Sequence, residues 1–107
     1  MRIAVWQGAF ASSIDAAIDV LEEAATDAKE QGAQVIVFPE LFLGGYLLQN
    51  AASRAATPDQ IQRISDVSAR LDVCVVFGYF EHGLYNSAMV IDAGTIVAKY
   101  RKAHLFG

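Results

Sequence analysis

The sequence predicts an α/β domain in which a mixed sheet packs against two helices. Short runs that are apolar on both faces, typical of covered strands, alternate with two longer segments whose apolar residues recur at helical spacing. The tight turn Asp92-Ala93-Gly94 then joins two alternating segments into an antiparallel hairpin. The predicted order, β-α-β-α-β-β-β, gives one mixed sheet with helices on one or both faces.

The first half of the chain predicts a strand, a helix and a second strand. Residues 2–6 form a short apolar strand. Ser12, with Asp15 three residues later, predicts the helix start, because such side chains bind the unpaired backbone N–H groups there. Apolar residues then follow one helical face until Gly32, which predicts the helix end. Residues 33–38 form a short run that is apolar on both faces, so we expect a covered parallel strand.

The second half predicts a helix and three strands. Residues 57–59 read Thr-Pro-Asp, which is the preferred order of cap, proline and acid at a helix start. Residues 73–80 predict another covered strand. In residues 85–91 and 95–100, apolar and polar side chains alternate well enough to predict the strands of a hairpin. No repeat or linker divides the chain, so we expect one domain or one piece of a domain.

Composition narrows the classes of function. The 107 residues carry eight Lys and Arg against twelve Asp and Glu, a formal charge of −4 without blocks of like charge. Nothing therefore indicates a nucleic-acid or membrane partner. Hydrophobic residues make up 54%, against roughly 45–50% on average, which indicates apolar surface that something beyond this chain covers. The first residues lack a signal-peptide layout and there is one cysteine, so we expect a cytoplasmic protein.

Glu40 and Lys102 are the candidates for chemistry. Glu40 directly follows an apolar strand, and ligands of α/β sheets gather beyond the carboxyl ends of strands. Apolar surroundings raise the proton affinity of a carboxylate, which suits a general base. Lys102 ends the last strand, where its charge could stabilise an oxyanion. Taken alone, each residue fits an ordinary exposed side chain better.

The other reactive residues favour structural roles. Cys74 lies in a strand that we expect to be covered on both faces, where a thiol stays neutral and inert. His82 falls in a turn and His104 near Lys102, without the spacing of a metal site. We therefore expect no metal. The pair Gly44-Gly45 lacks the context of a phosphate loop, so a nucleotide cofactor is not indicated either.

Three segments together resemble the nitrilase superfamily of carbon–nitrogen hydrolases. They are Phe38-Pro39-Glu40-Leu41-Phe42 with Gly44-Gly45-Tyr46, then Tyr85-Asn86-Ser87-Ala88, then residues 100–106. The resemblance runs along residues 1–107 and implies the N-terminal half of a carbon–nitrogen hydrolase domain. The implied fold is the first half of a nitrilase-like α-β-β-α sandwich, in which a second half packs against this one.

The resemblance implies a hydrolase of non-peptide amides or nitriles that needs no metal or organic cofactor. Glu40 corresponds to the general base and Lys102 to the lysine that stabilises the oxyanion, while Phe42 and Tyr46 are expected to line the substrate pocket. The family's cysteine nucleophile and second glutamate have no counterpart in this chain, and Cys74 does not match. We therefore expect the truncated chain to be inactive alone.

Two alternatives stay open. The chain could be a non-catalytic half-domain that acts as a binding or interaction module. An unrelated flavodoxin-like binding domain is the other alternative, which the three ordered segments disfavour. Family resemblance also implies a homo-oligomer, or association with a complementary half. Whether the coding sequence continues beyond Gly107 into a cysteine elbow separates a truncated hydrolase from an interaction module.

Overall fold

The predicted elements form in the predicted order. The computed structural model describes residues 1–40, 42–44, 55–81 and 85–101. Its elements are β1 (Ile3–Val5), α1 (Ile14–Glu30), β2 (Val35–Val37), α2 (Pro58–Leu71), β3 (Cys74–Glu81), β4 (Tyr85–Asp92) and β5 (Thr95–Arg101). The α/β class, with a mixed sheet and two helices, is confirmed.

One sheet of five strands organises the chain, in the order β1-β2-β3-β4-β5. The first three strands are parallel, and Val35 of β2 lies between Ile3 of β1 and Cys74 of β3. The last three are joined in antiparallel pairs. Each parallel connection passes through a helix, and both connections advance in the same direction along the sheet. Because such crossovers are right-handed, both helices lie on the same face.

The hydrophobic core lies between the two helices and one face of the sheet, which we call the helix face. This face carries the buried side chains of Ile36, Val75 and Phe77, and α1 contributes Ile18 and Leu21. Each of these five residues is at most 2% exposed. Helical spacing on α1 and strand alternation on the sheet thus meet in one contiguous core.

The opposite side of the sheet, which we call the open face, is also apolar, and neither described helix lies over it. It carries Ile3 and Val5 of β1 and Tyr100 of β5, which are 58%, 67% and 64% exposed. Val35 and Val37 of β2 are half-buried. The expectation that the second strand is covered on both faces is therefore wrong, because both crossover helices occupy the other face.

Both helices start at side-chain caps. Thr57 accepts a hydrogen bond from the Gln60 N–H, and the Gln60 side chain accepts one from the Thr57 N–H, a reciprocal capping box. The cap of α1 is Ser13, which accepts from the Ala16 N–H. The predicted cap, Ser12, is thus wrong by one residue. Neither described helix is both long and apolar enough to cross a membrane.

The β4–β5 hairpin turns through Ala93 and Gly94, whose φ angles of 47° and 88° are both positive. Two positive angles in a two-residue loop match the right-handed twist of the flanking strands. The Gly94 N–H also donates to the hydroxyl of Ser68 on α2, at 3.2 Å. This contact ties the hairpin to the helix, and the predicted turn is confirmed.

The open face predicts that the isolated chain binds hydrophobic dyes or self-associates, because large exposed apolar patches are uncommon on soluble monomers. Val5→Thr should lower fluorescence of the dye ANS and change the free energy of unfolding by less than about 0.5 kcal/mol. The matched change on the helix face, Val75→Thr, buries a hydroxyl and should cost about 1–3 kcal/mol. A sharp monomer peak in gel filtration without dye binding would contradict an uncovered apolar face.

Candidate functional site

Glu40 lies where the chain leaves the sheet at the carboxyl end of β2. The preceding Phe38 still pairs with β3, since its N–H donates to the Val76 carbonyl at 2.8 Å. The chain returns to the same strand at Leu43, whose N–H donates to the Gly78 carbonyl at 3.0 Å. Glu40 therefore sits in a short excursion that is anchored on both sides, and its side chain is exposed.

Asn86 reaches Glu40 from β4. It lies opposite Phe80 of β3 and is 4% exposed. Its side-chain nitrogen Nδ2 donates a hydrogen bond to Glu40 Oε1. An ionised carboxylate only accepts hydrogen bonds, so the nitrogen side of the amide has to face it. The structure thus brings together one predicted residue and one to which the sequence reasoning gave no role.

One signal in the sequence could have identified Asn86. On β4 it shares the open face with Ala88 and Val90, because alternate residues of a strand point to the same side. It is therefore a buried polar residue on an otherwise apolar face. Buried polar side chains require a hydrogen-bond partner, and Glu40 is a carboxylate that strand order brings to the same end of the open face.

A cleft of about 230 Å³ opens beside Glu40 on the open face. Its lining is mainly apolar and includes Phe38, Gly78 and Tyr100, with Asn86 and Glu40 as a hydrogen-bonded pair. This volume is below the roughly 300–1,000 Å³ of typical drug-sized sites and suits a small molecule. Within the described ranges, no group of three His, Cys, Asp or Glu residues could hold a metal ion.

Phe42 lies in the core and not on the surface of the cleft. It is 1% exposed, and its ring centroid lies 4.6 Å from that of Phe38 and 5.0 Å from that of Trp6. Phe42 therefore supports the cleft through Phe38, which lines it. Tyr46 and Lys102 lie outside the described residues, so their predicted places in the site stay predictions.

Cys74 lies at the other end of β3 from the residue that faces Asn86, the partner of Glu40. It pairs with Val35 at the start of β2, whereas Asn86 lies opposite Phe80, six residues further along. At roughly 3.3 Å per residue, that is a separation of about 20 Å along the strand. The thiol is half-buried, and its burial, with a smaller contribution from Asp92, raises its pKa.

The state of Cys74 agrees with the sequence analysis in one respect and differs in another. A raised pKa keeps the thiol neutral at neutral pH, as predicted for a structural cysteine. Burial on both faces, however, is wrong, because Cys74 points to the open face and is only half-buried there.

A second polar cluster lies on the helix face at the ends of β3 and β5. Glu81 accepts hydrogen bonds from Arg101 Nε at 3.1 Å, Arg101 Nη2 at 2.7 Å and the Ser87 hydroxyl at 2.6 Å. Lys99 Nζ lies 3.2 Å from the same carboxylate, and Arg101 stacks on the Tyr85 ring at 4.5 Å. The Arg101 hydrogen bond, followed by those from Ser87 and Lys99, lowers the pKa of Glu81 to about 2.

Known proteins match both the sequence and the fold. The profile of the family described as carbon-nitrogen hydrolase matches residues 2–107. A nitrilase from Pyrococcus abyssi is 35% identical over 94 residues, which cover 79% of this chain and 36% of that protein. An N-carbamoylputrescine amidase from Oryza sativa subsp. japonica is 31% identical over 100 residues, covering 82% and 33%.

The structural match covers the whole chain. An amidase from Nesterenkonia sp. AN1, solved as a mutant in complex with butyramide, has a TM-score of 0.86 at 30% identity. The match spans 100% of this chain and 44% of that one. The chain thus spans less than half the length of each of these three relatives. The resemblance seen in the three sequence segments is confirmed.

The lowered pKa of Glu81 predicts a pH-dependent stability. A carboxyl group whose pKa falls from 4.5 to about 2 on folding stabilises the fold above pH 4.5, and this contribution is lost as the pH falls from 4.5 towards 2. Glu81→Gln should therefore lower the free energy of unfolding by about 1–3 kcal/mol at pH 7 and by much less near pH 2.5.

Urea titrations of the wild type and of Glu81→Gln at the two pH values measure this difference. Glu23→Gln, which makes the same change on the exposed side of α1, is the control. A loss of stability upon Glu81→Gln that is the same at both pH values would show that the ion pairs do not stabilise the fold.

Proposed function

Because the chain belongs to the carbon–nitrogen hydrolase family, we propose that it supplies the general base of a site that hydrolyses non-peptide amides or nitriles. The observation that carries the proposal is the position of Glu40, at the carboxyl end of β2, beside an apolar cleft and hydrogen-bonded to Asn86. A carboxylate held beside such a cleft can take a proton from a nucleophile and return it to a leaving group.

In the proposed reaction, a cysteine thiol gives its proton to Glu40 and attacks the carbon of the amide. Lys102 stabilises the oxyanion of the tetrahedral intermediate, and Glu40 passes the proton to the departing nitrogen. Water that Glu40 activates then hydrolyses the acyl-enzyme. Cys74 is the single cysteine of the 107 residues and lies six strand residues from the position opposite Asn86, the partner of Glu40, so in this proposal the thiol comes from another segment.

The role of Lys102 is supported by the register of its described neighbours. Arg101 pairs with Ser87, which is one residue from Asn86. The last described residue of β5 therefore lies beside the part of β4 that binds Glu40, which favours the proposal that Lys102 serves the same site.

A small amide with a short apolar chain is the substrate class that we propose. The cleft holds about 230 Å³ and is mainly apolar, and the related amidase was solved with butyramide. In this proposal Tyr46 lines the pocket, and Phe42 supports the pocket from the core by packing against Phe38. No metal or organic cofactor is required, because the base, the oxyanion-stabilising lysine and the thiol supply the chemistry.

The open face favours a second candidate function, an interaction module in the cytoplasm that pairs with a complementary half or with another copy. Its exposed apolar residues, among them Ile3 and Val5, suit a partner that covers them. The two candidate functions differ in one respect: a hydrolase needs a segment that supplies a nucleophilic cysteine, whereas an interaction module does not. Continuation of the coding sequence beyond Gly107 into a cysteine elbow would favour the hydrolase.

The proposal predicts that the 107-residue chain alone releases no ammonia from butyramide, because its cleft contains no thiol. The chain extended by its own downstream coding sequence should release ammonia, and Glu40→Gln should lower that rate by about 10²–10⁴-fold. Glu23→Gln on the exposed side of α1 is the matched control. Ammonia release by the 107-residue chain that Glu40→Gln abolishes would contradict the proposal. So would an active longer protein whose rate Glu40→Gln does not change.

A further inference from the structure

We infer that Asn86 is a positioning residue that fixes the Glu40 carboxylate and holds it in the ionised form that a general base requires. This inference rests on the proposed function, because it concerns the same carboxylate. It adds Asn86 of β4 to the two proposed catalytic residues of this chain, Glu40 and Lys102.

The difference in burial between the two residues shows which of them holds the other. Asn86 is 4% exposed and sits within the paired part of β4, opposite the fully buried Phe80. The Asn86 side chain has only two torsion angles, and its backbone is held in the strand. Glu40 is exposed and has three torsions in a short excursion of the chain. The hydrogen bond from Asn86 Nδ2 to Glu40 Oε1 therefore ties the more mobile side chain to the fixed one.

The same bond acts on the protonation of Glu40. A hydrogen bond donated to the carboxylate favours the ion over the neutral acid. Asn86 thus favours the form of Glu40 that can accept a proton. A carboxyl group that stayed protonated at neutral pH could not take a proton from a thiol, so this donor keeps Glu40 able to act as a base.

Comparison with Glu81 explains why an amide suits this position. Glu81 is bound by two cations, Arg101 and Lys99, and its pKa falls to about 2. A carboxylate with such a low pKa is a weak base. Asn86 is neutral, so it can orient Glu40 with a hydrogen bond while adding no full positive charge.

Adjacent residues of β4 thus hold two glutamates on opposite faces. Asn86 binds Glu40 on the open face, and Ser87 donates to Glu81 on the helix face at 2.6 Å. Among the described residues that line the cleft, Tyr100 is the other titratable side chain. Lys102 is the cation that the proposed function adds to this site.

The test is an NMR titration of the 107-residue chain with ¹³C-labelled glutamate carboxyl groups, in which Glu40→Gln identifies the Glu40 signal. Asn86→Ala should raise the titration midpoint of Glu40 by about 0.5–1 pH unit, because it removes a donor to the charged form. Asn86→Asp should raise it by more than about one unit, because a second carboxylate stands beside the first. Ser87→Ala is the matched control and should leave the Glu40 midpoint unchanged.

An unchanged Glu40 midpoint in folded Asn86→Ala and Asn86→Asp chains would overturn the inference. If Asn86→Ala does not fold, the Glu40 midpoint in the nearly isosteric Asn86→Asp chain alone tests the inference. The titration needs no turnover, so it is separate from the ammonia assay. A longer protein without hydrolase activity but with a Glu40 midpoint that depends on Asn86 would overturn only the proposed function, and an active hydrolase with an unchanged midpoint would overturn only the role of Asn86.

Discussion

The position of both crossover helices on one side of the sheet determines the rest of this structure. Two right-handed connections that advance in the same direction have no other arrangement. The helix face is therefore filled by α1 and α2, whereas neither described helix covers the open face, where Ile3, Val5 and Tyr100 are exposed. The cleft beside Glu40 belongs to that open face, so the same asymmetry that leaves apolar surface exposed also leaves the candidate base accessible.

Strand alternation on β4 gives the two functionally different glutamates their surroundings. One side of the strand directs Asn86 to Glu40, and the other directs Ser87 to Glu81. On the helix face, cations bind the carboxylate and anchor the end of β5. On the open face, a neutral amide binds the other carboxylate beside an apolar cleft. A shift of the β3–β4 register by one residue would turn each side chain of β4 to the opposite face of the sheet. Both contacts, Asn86 with Glu40 and Ser87 with Glu81, would then be lost.

Local patterns were sufficient to predict the elements, and they marked Glu40 as a candidate that the family resemblance then favoured. Helical and strand periodicity gave all seven segments of the described structure, and the apolar strand ending at Pro39 indicated Glu40. The contact between Glu40 and Asn86 could not be predicted in this way, because it joins residues 46 positions apart and depends on the register of three strands. Nor could periodicity tell which apolar face the helices cover, since Val35 and Val75 look alike in sequence.

The central claim is that this chain holds the base of a hydrolytic site and lacks a nucleophile there. The most direct test is the alkylation of Cys74, the single cysteine, by iodoacetamide, followed by mass spectrometry in the wild type and in Glu40→Gln. Because burial raises the pKa of this thiol and Glu40 is distant, the rate should be low at pH 7, increase with pH, and be equal in both proteins. Rapid alkylation at pH 7 that Glu40→Gln abolishes would mean that Cys74 is the activated nucleophile of a complete site.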